Sequence, residues 1–402
     1  MNDIRCFMLI FFGFGLNSLA QNQSFYTIVD SCEIENECLT RPYFYFYKNN
    51  IYAINSLFYN EDSLRKICQF DTKGKLIYSF PTVKNSRPQS LIFDDSLIYG
   101  CCVGYDNKFI VHRQTGEMKQ EIKLKGARSN HLWGIHTFPQ RFDKGYYLTT
   151  EYAEYDWAWY KKGKSGRLKK VQKNHKLLAL FQLEKDKDGN WKTEQKNIIK
   201  KFYTYEPVYF EKDLRIMEYF YVTASDSEMY IHQEASAKIS VFNYKGELKR
   251  TFGEKGKFID PNFHLTGINS TIDWYRNRNH FRIINSIYSD IFYDTTSGLL
   301  FRSYSSGIED TVAVENTKTV VTFKNACPSN LAEVLRSKIL ANKPYYLQVY
   351  KRDKLIADFP IGKGFRILGR EGEYLWVHSY NQDSGSTDDS GEWKFYKVRF
   401  NF

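Results

Sequence analysis

The stretch Ile67-Cys-Gln-Phe-Asp-Thr-Lys-Gly74, followed by Lys75-Leu-Ile-Tyr-Ser-Phe80, carries the pattern that decides the fold. Its apolar residues alternate with polar ones on both sides of a turn that ends in glycine, which is typical of a β-hairpin. Similar phrases return along the chain at intervals of tens of residues. They occupy 109–116, 239–246 and 291–298, with looser copies at 180–189 and 345–359.

A hairpin that recurs at such intervals indicates sheets that stack side by side, since each repeat buries its apolar face against its neighbours. Tyr, Phe and Trp make up 17% of the residues, a composition that suits pleated, half-buried surfaces. We therefore predict an all-β chain that forms a single β-propeller of seven four-stranded blades. Six blades are the alternative, if one hairpin is a decoration.

The predicted blades follow one another along the chain. The first four are expected at 43–80, 90–124, 134–198 and 219–252, the fifth between 264 and 304, and the sixth between 311 and 359. Strands at 374–378 and 393–400 lack an outer partner, and the strand at 25–29 lacks a sheet. Pairing them would complete a seventh blade and close the ring without an open edge.

One short helix is expected between the strands, near 329–343. Ser329 can cap its first turn, while Leu331, Val334, Leu335 and Ile339 recur at helical spacing. No linker divides the chain, so residues 21–402 are predicted to form one propeller domain.

The first twenty residues read as a signal peptide. Arg5 precedes the apolar run 6–16, and Ser18-Leu-Ala20 places small residues at the usual cleavage positions. The run is shorter than the roughly 20 apolar residues that cross a bilayer as a helix. We expect no transmembrane segment and an exported protein that is periplasmic, associated with the cell surface, or secreted.

The net charge of +11 would allow an exported protein to meet anionic glycans or phosphate groups. Surplus lysine that keeps a β-rich surface soluble is the simpler explanation. Nucleic acid is not an expected partner in that compartment.

Six of the seven cysteines follow the signal peptide, and an even number permits disulfides in an oxidising compartment. Cys32 and Cys38 enclose a small loop and are the preferred pair. Metal binding by cysteine is the weaker alternative, because no second close pair or nearby histidine completes a ligand set, and no metal site is predicted.

The repeats resemble those of NHL-type and TolB-like propellers. The stretches 228–252 and 343–350 resemble, in particular, a domain-of-unknown-function family of exported propellers from Bacteroides-type bacteria. The resemblance implies a propeller fold and a location in the cell envelope or beyond the cytoplasm. It supplies no catalytic residues.

The strongest candidate binding segment opens the insertion at 151–176, where flat aromatic rings could stack on sugars and carboxylates could accept hydroxyl hydrogen bonds. Its alternative is a strand whose aromatics pack on the next blade. The second half, up to Lys176, carries eight cations and no acid, which is more typical of a solvated loop. The predicted ligand-binding residues are Tyr152, Glu154, Tyr155, Asp156, Trp157 and Trp159, with His136 and His232 from strands expected near the central channel.

No nucleophile elbow, phosphate-binding loop, dinucleotide fingerprint or calcium loop occurs in the sequence, and no cofactor is predicted. The leading interpretation is a non-enzymatic exported propeller that binds a glycan, a peptide or an envelope protein on its loop face or in its channel. One alternative is a polysaccharide hydrolase or lyase that uses carboxylates or histidines at the channel mouth. The other is a structural scaffold in an envelope complex.

Overall fold

The computed structural model describes residues 25–35, 42–55, 66–82, 88–94, 97–102, 108–125, 145–150, 176–207, 220–259, 285–307, 343–362, 365–379 and 392–402. These residues form β-strands, turns and irregular segments, without a helix among them. The strands of the amino-terminal half are β1 Tyr26–Glu35, β2 Pro42–Tyr47, β3 Asn50–Asn55, β4 Lys66–Phe70, β5 Leu76–Pro81, β6 Pro88–Asp94, β7 Leu97–Cys102, β8 Lys108–Arg113, β9 Met118–Leu124, β10 Tyr146–Thr150, β11 Leu178–Gln182, β12 Glu194–Gln195 and β13 Ile198–Phe202.

The second half of the chain continues the same pattern. Its strands are β14 Phe220–Ala224, β15 Glu228–Gln233, β16 Ile239–Asn243, β17 Leu248–Phe252, β18 Ile287–Asp294, β19 Leu299–Ser305, β20 Tyr345–Lys351, β21 Lys354–Gly362, β22 Phe365–Glu371, β23 Tyr374–Ser379 and β24 Glu392–Phe400.

The strands assemble into antiparallel sheets, which we number along the chain. Sheet 1 holds β2–β5, sheet 2 holds β6–β9, sheet 4 holds β14–β17 and sheet 5 holds β18–β21, each with its strands in sequence order. Sheet 2 gains a fifth strand, β12, which pairs parallel to β9. Sheet 3 has the three strands β10, β11 and β13, and sheet 6 is β22–β23–β24–β1.

The sheets are arranged as a β-propeller. The first strands of sheets 2, 1, 6, 5 and 4 contact one another in that order, through β6, β2, β22, β18 and β14. The outermost strand β17 is mostly exposed, whereas every residue of the innermost strand β14 is buried. Each sheet therefore runs outward from a shared centre.

Apolar clusters lie between neighbouring sheets. Leu178 of sheet 3, for example, packs with Phe220 and Ile231 of sheet 4 in one cluster. In another, Phe44 of sheet 1 packs with Trp376 and Phe395 of sheet 6. These clusters make up the core, since alternate residues of each strand face opposite neighbours.

The turns explain why the hairpin phrase was recognisable in the sequence. The Asp71 side chain accepts hydrogen bonds from the backbone N–H groups of Lys73 and Lys75, both at 2.9 Å. Gly74 closes this turn at a φ of +82°, and a Cβ atom there would lie 2.1 Å from the Glu33 carbonyl oxygen. The aspartate that begins the turn and the glycine that ends it are thus both explained by its geometry.

The predicted partner of the last strands is present. β1 pairs antiparallel with β24, with Tyr26 opposite Phe400 and Cys32 opposite Phe395. The amino-terminal strand therefore forms the outer edge of the carboxy-terminal sheet, as the unpaired strand patterns predicted.

The number of blades differs from the prediction. Among the described residues, five sheets have four or more strands, whereas seven complete blades were predicted and six were the alternative. The described strands of the predicted fifth and sixth blades belong to one sheet, because β19 pairs directly with β20. Sheet 3 also ends with β13, which extends beyond the end of the third blade predicted at 134–198. The predicted helix at 329–343 lies, apart from Lys343, outside the described residues.

Candidate functional site

An open groove of about 970 Å³ lies between sheets 3 and 4. One wall is the segment 203–207, which leaves β13, and the other wall comes from β16 and β17 of sheet 4. The volume is close to the upper end of the range of about 300–1,000 Å³ that small-molecule sites occupy. The lining residues are Lys176, Tyr203, Thr204, Tyr205, Glu206, Pro207, Lys238, Ser240, Phe242, Leu248, Thr251, Phe252 and Gly253.

The segment 203–207 is held in place by the end of sheet 4. The Gln233 side chain accepts a hydrogen bond from the Glu206 backbone N–H at 3.0 Å and donates one to the Thr204 carbonyl at 3.1 Å. The Leu177 N–H donates to the Tyr203 carbonyl at 3.0 Å. This wall of the groove is therefore fixed by sheets on both sides.

Glu206 supplies the carboxylate of the groove. Its side chain is only 13% exposed, and it forms an ion pair with the Lys238 ammonium group at 3.9 Å. Burial raises the pKa of the Glu206 carboxyl, and the attraction of Lys238 lowers it only in part. The acid is therefore poorly compensated by the protein around it.

Tyr203 carries a second poorly compensated group. Its hydroxyl oxygen is buried and has no hydrogen-bond partner among the described residues. Its ring lies edge-on to Phe220 and Phe242, at 6.2 Å and 5.8 Å between ring centroids. Burial raises the pKa of the Tyr203 phenol well above its usual value, and the nearby Glu206 raises it further.

Tyr203 also has an uncommon backbone conformation. Its φ is +62°, in the left-handed region that residues other than glycine rarely adopt. Such conformations persist where the surrounding structure imposes them, and they are enriched at functional sites.

The other face of sheet 4 packs on sheet 5 through a buried polar network. The Arg302 guanidinium is fully buried and donates to the side-chain oxygen of Gln348 at 3.1 Å and to the carbonyls of Ala237 and Glu254 at 2.6 Å and 2.9 Å. It also donates to the Tyr350 hydroxyl at 2.8 Å. Its centre lies 4.1 Å from the centroid of the Tyr288 ring.

His232 belongs to this buried interface. The residue is fully buried, and its ring stacks on Tyr221 at 5.2 Å between ring centroids. Burial, with a smaller contribution from Arg302, lowers the pKa of His232 to about 3, so the ring is uncharged at neutral pH. The prediction that His232 contacts a ligand finds no support here, because sheets 4 and 5 enclose the ring.

Of the remaining predicted site residues, only Cys32 lies in the described part of the chain. Cys32 is buried and has a free thiol, and burial raises its pKa to about 12. Its predicted partner Cys38 lies outside the described residues, so the disulfide stays a prediction. Also outside the described residues are Tyr152, Glu154, Tyr155, Asp156, Trp157, Trp159 and His136.

Sequence reasoning missed Tyr203, Glu206 and Lys238. The only local signal is the run Phe202-Tyr-Thr-Tyr-Glu-Pro207, which mixes aromatic residues with one acid. In the part of the chain that the structure describes, no group of three or more His, Cys, Asp or Glu residues is arranged to hold a metal ion. The same described residues contain no helix long and apolar enough to cross a membrane.

No protein-family model and no curated protein matches the chain. Among the solved structures that match over most of its length are two Bacteroides proteins. A member of the DUF4221 family from Bacteroides vulgatus is 12% identical, with a TM-score of 0.56 over 94% of this chain and 99% of that one.

A protein from Bacteroides fragilis that is described as exported is 11% identical, with a TM-score of 0.51 over 94% of this chain and 96% of that one. At these identities the likeness is one of fold. The chain thus shares its propeller fold with a DUF4221 member and with a protein described as exported, both from Bacteroides, in agreement with the family resemblance of the stretches 228–252 and 343–350.

Proposed function

We propose that the protein is an exported β-propeller that binds a ligand in the groove between sheets 3 and 4. The observation that carries the proposal is the lining of this groove, in which the Glu206 side chain is 13% exposed and forms an ion pair with Lys238 at 3.9 Å. A largely covered carboxyl group with one distant cation is costly in the unliganded protein, and a bound molecule that hydrogen-bonds to it would lower that cost.

Two observations support export. Residues 1–20 have the basic start, apolar run and small-residue end of a signal peptide. The Bacteroides fragilis protein of similar fold is described as exported. We further infer that β1 closes the ring, because it completes sheet 6 and its Cys32 and Ile34 share a cluster with Phe44 of sheet 1.

The location of the groove suits a propeller that binds at the edge between two blades. Its walls are built on paired strands and on a segment held by Gln233, so the binding surface is formed before the ligand arrives. The predicted aromatic and basic insertion at 151–176 leads directly into Lys176 of the groove, and we propose that it contributes to the same surface.

The number of carboxyl groups in the groove favours a binding function over a catalytic one. Glycoside hydrolysis uses two carboxyl groups on opposite sides of the scissile bond. The described lining residues include one carboxyl group, Glu206. The hydrolase or lyase alternative therefore depends on Glu151, Glu154, Asp156 or His136, which lie outside the described residues.

The test compares two tryptophan variants at equivalent positions of different sheets. Thr251 lies on β17, lines the groove and pairs with Ser240, whereas Ser79 lies on β5 and pairs with Cys68. Both residues are exposed, so neither substitution disturbs a core. The probes are neutral, acidic and amino-sugar hexasaccharides and a hexapeptide, each titrated calorimetrically into the full exported chain.

We expect at least one probe class to bind the wild-type protein and the Ser79→Trp variant, and Thr251→Trp to abolish that binding by filling the groove. Absence of binding by every class would contradict the proposal. So would a probe that binds the Thr251→Trp variant as tightly as the wild type.

A further inference from the structure

We propose that an extended acidic peptide of a partner protein adds to β17 as a fifth strand of sheet 4 and places side chains in the groove. This inference rests on the proposed function and narrows the ligand to one class. Three features carry it: the edge of β17, a fifth strand on another sheet of the same chain, and the lysines around the groove.

The strand β17 supplies the hydrogen-bonding edge. It is the last strand of sheet 4, and no other described strand pairs with its outer side. Three of its five residues are exposed, namely Leu248, Lys249 and Thr251. Because an edge strand leaves backbone N–H and C=O groups unpaired, an added strand can hydrogen-bond to it.

Sheet 2 shows that an outer strand of this chain accepts a short acidic segment. β12 pairs parallel with β9, and the N–H groups of Lys123 and Lys125 donate to the carbonyls of Thr193 and Gln195 at 2.7 Å and 2.8 Å. The Glu194 carboxylate of β12 also pairs with the Lys125 ammonium group at 2.7 Å. Backbone hydrogen bonds and one ion pair therefore hold this segment on the edge.

The strands β9 and β17 occupy equivalent positions in their sheets. Each is the fourth strand and follows a turn with a glycine at positive φ, Gly116 at +85° and Gly246 at +70°. Each also has a lysine at a bulge, Lys119 in β9 and Lys249 in β17. The pairing of β12 with β9 therefore shows the geometry that a partner segment would adopt on β17.

Lysines surround the edge of β17. Lys176 and Lys238 line the groove, whose one described acid, Glu206, forms an ion pair with Lys238. Lys249 is exposed on β17 itself, and Lys200 of β13 lies against the turn that precedes β17. A partner that carries carboxylates is therefore complementary in charge to this surface.

The carboxyl group of Glu247, in the turn before β17, responds to these charges. It accepts a hydrogen bond from the Asn243 side chain at 2.7 Å. This bond lowers the pKa of Glu247, and so do the charges of three nearby lysines, Lys245, Lys200 and Lys249. A peptide carboxylate beside the same lysines would be stabilised in the same way, whereas a cationic peptide would be repelled.

The groove receives the side chains of the added strand. Side chains alternate between the two faces of a strand, so every second residue of the peptide faces the groove. Leu248 is 56% exposed there and pairs with Phe242 on the same face of sheet 4, which provides apolar surface to cover. A peptide combines apolar side chains, carboxylates and a backbone that pairs with β17, whereas an acidic saccharide has no such backbone.

The experiment titrates five probes calorimetrically into the full exported chain at low and at high salt. Three are capped hexapeptides in which valine alternates with glutamate, glutamine or lysine. The fourth is the glutamate peptide with every second backbone nitrogen methylated, and the fifth is hexagalacturonate. We expect the glutamate peptide to bind and to bind less tightly at high salt. Its methylated form should bind about tenfold more weakly or less, because it lacks N–H donors.

One variant tests the charge and hydrogen exchange tests the edge. We expect Lys249→Glu to weaken binding of the glutamate peptide by about threefold to tenfold at low salt. Lys119→Glu is the matched control, because Lys119 is an exposed lysine at the equivalent bulge of β9. The bound peptide should also slow amide exchange in residues 248–252.

The inference is overturned if the glutamine, lysine or methylated peptide, or hexagalacturonate, binds as tightly as the glutamate peptide. It is also overturned if Lys249→Glu binds like the wild type, or if residues 248–252 are already protected in the free chain, by its own residues or by a second copy. If only a neutral or amino-sugar hexasaccharide binds and Thr251→Trp excludes it, the peptide is wrong while the groove remains the binding site. Absence of binding by every probe would overturn both proposals.

Discussion

The two faces of sheet 4 differ in how far their polar groups are enclosed. On the side of sheet 5, the fully buried Arg302 donates to four different residues, and Tyr288 covers its guanidinium plane. His232 Nε2 and Ser305 Oγ are also buried there, without a hydrogen-bond partner among the described residues. On the side of sheet 3, Glu206 lines an open groove and pairs with Lys238 at 3.9 Å, so its carboxyl group is accessible to a ligand.

The Arg302 network is enclosed between two sheets, whereas Glu206 lines an open groove. Removing a group from the enclosed face should destabilise the protein and leave binding sites elsewhere intact. Removing a group from the groove face should cost little stability and should change binding.

The largest effect is expected for Arg302→Met. The substitution leaves the acceptors of Ala237, Glu254 and Gln348 without their donor inside the protein, and we expect a loss of about 3–5 kcal/mol of unfolding free energy. Urea unfolding followed by fluorescence measures it. Arg113→Met is the control, since Arg113 is exposed in an ion pair with Glu117 and should cost less than about 1 kcal/mol. Equal losses in both variants would mean that the network does not hold the sheets together.

The next effect is a dependence of stability on pH that originates in His232. Its pKa is lowered from 6.5 to about 3 in the folded chain, so protons bind the unfolded chain more readily between these values. The unfolding free energy that the uncharged His232 ring allows is fully present above about pH 6.5. It falls by on the order of a few kcal/mol as the pH is lowered towards 3.

His232→Gln should make the acid-induced fall in unfolding free energy shallower, and unfolding curves at a series of pH values measure it. His378 provides a comparison at the interface of sheets 6 and 1, because burial likewise lowers its pKa to about 3. An unchanged slope in the His232 variant would show that the ring is not held uncharged by this interface.

Gly253 lines the groove and precedes Glu254, whose carbonyl accepts a hydrogen bond from Arg302. Its φ is +111°, and a Cβ atom would lie 2.3 Å from the Ala237 carbonyl oxygen that accepts from Arg302. We expect Gly253→Ala to cost about 2–3 kcal/mol in thermal or urea unfolding.

Gly189→Ala is the control for backbone strain alone, since Gly189 has a φ of +80° and no atom within 4 Å of the added Cβ. It should cost about 1 kcal/mol. Equal stability of the two variants would show that the contact between the added Cβ atom and the Ala237 carbonyl oxygen does not destabilise Gly253→Ala.

The smallest effect on stability is expected for Tyr203→Phe. The hydroxyl has no described partner, so its removal should leave the unfolding free energy unchanged or raise it by up to about 1 kcal/mol. Differential scanning calorimetry measures the shift. A loss of more than about 1 kcal/mol of unfolding free energy would show that the Tyr203 hydroxyl stabilises the folded chain, as the groups around Arg302 do.

Much of the fold follows from local patterns. The Asp71 and Gly74 turn and the strand at the amino terminus are both visible in the sequence as local patterns of residue type, although Gly74 lies against Glu33 and β1 pairs with the distant β24. The blade count was wrong for the same reason. β19 and β20 are adjacent in sheet 5 but far apart in the sequence, and alternation alone does not reveal which hairpin completes a sheet.

The groove could not be predicted from the sequence, since it arises where a connecting segment meets the outer strands of the next sheet. Nothing near Glu206 in the chain indicates that Lys238 and Thr251 face it. Aromatic density pointed instead to the segment beginning at Tyr152, whose role stays a prediction. His232 illustrates the converse, because a histidine on a strand near the centre proved to be packed between sheets.

The central claim is that the face of sheet 4 towards sheet 3 binds ligand while the face towards sheet 5 is structural. Hydrogen–deuterium exchange of the full exported chain, with and without the hexasaccharide and peptide probes, tests it most directly. The account predicts that a bound probe slows exchange in residues 203–207 and 238–242 and leaves residues 299–305 unchanged. Protection confined to residues 299–305 or to other sheets, or no protection with any probe, would contradict it.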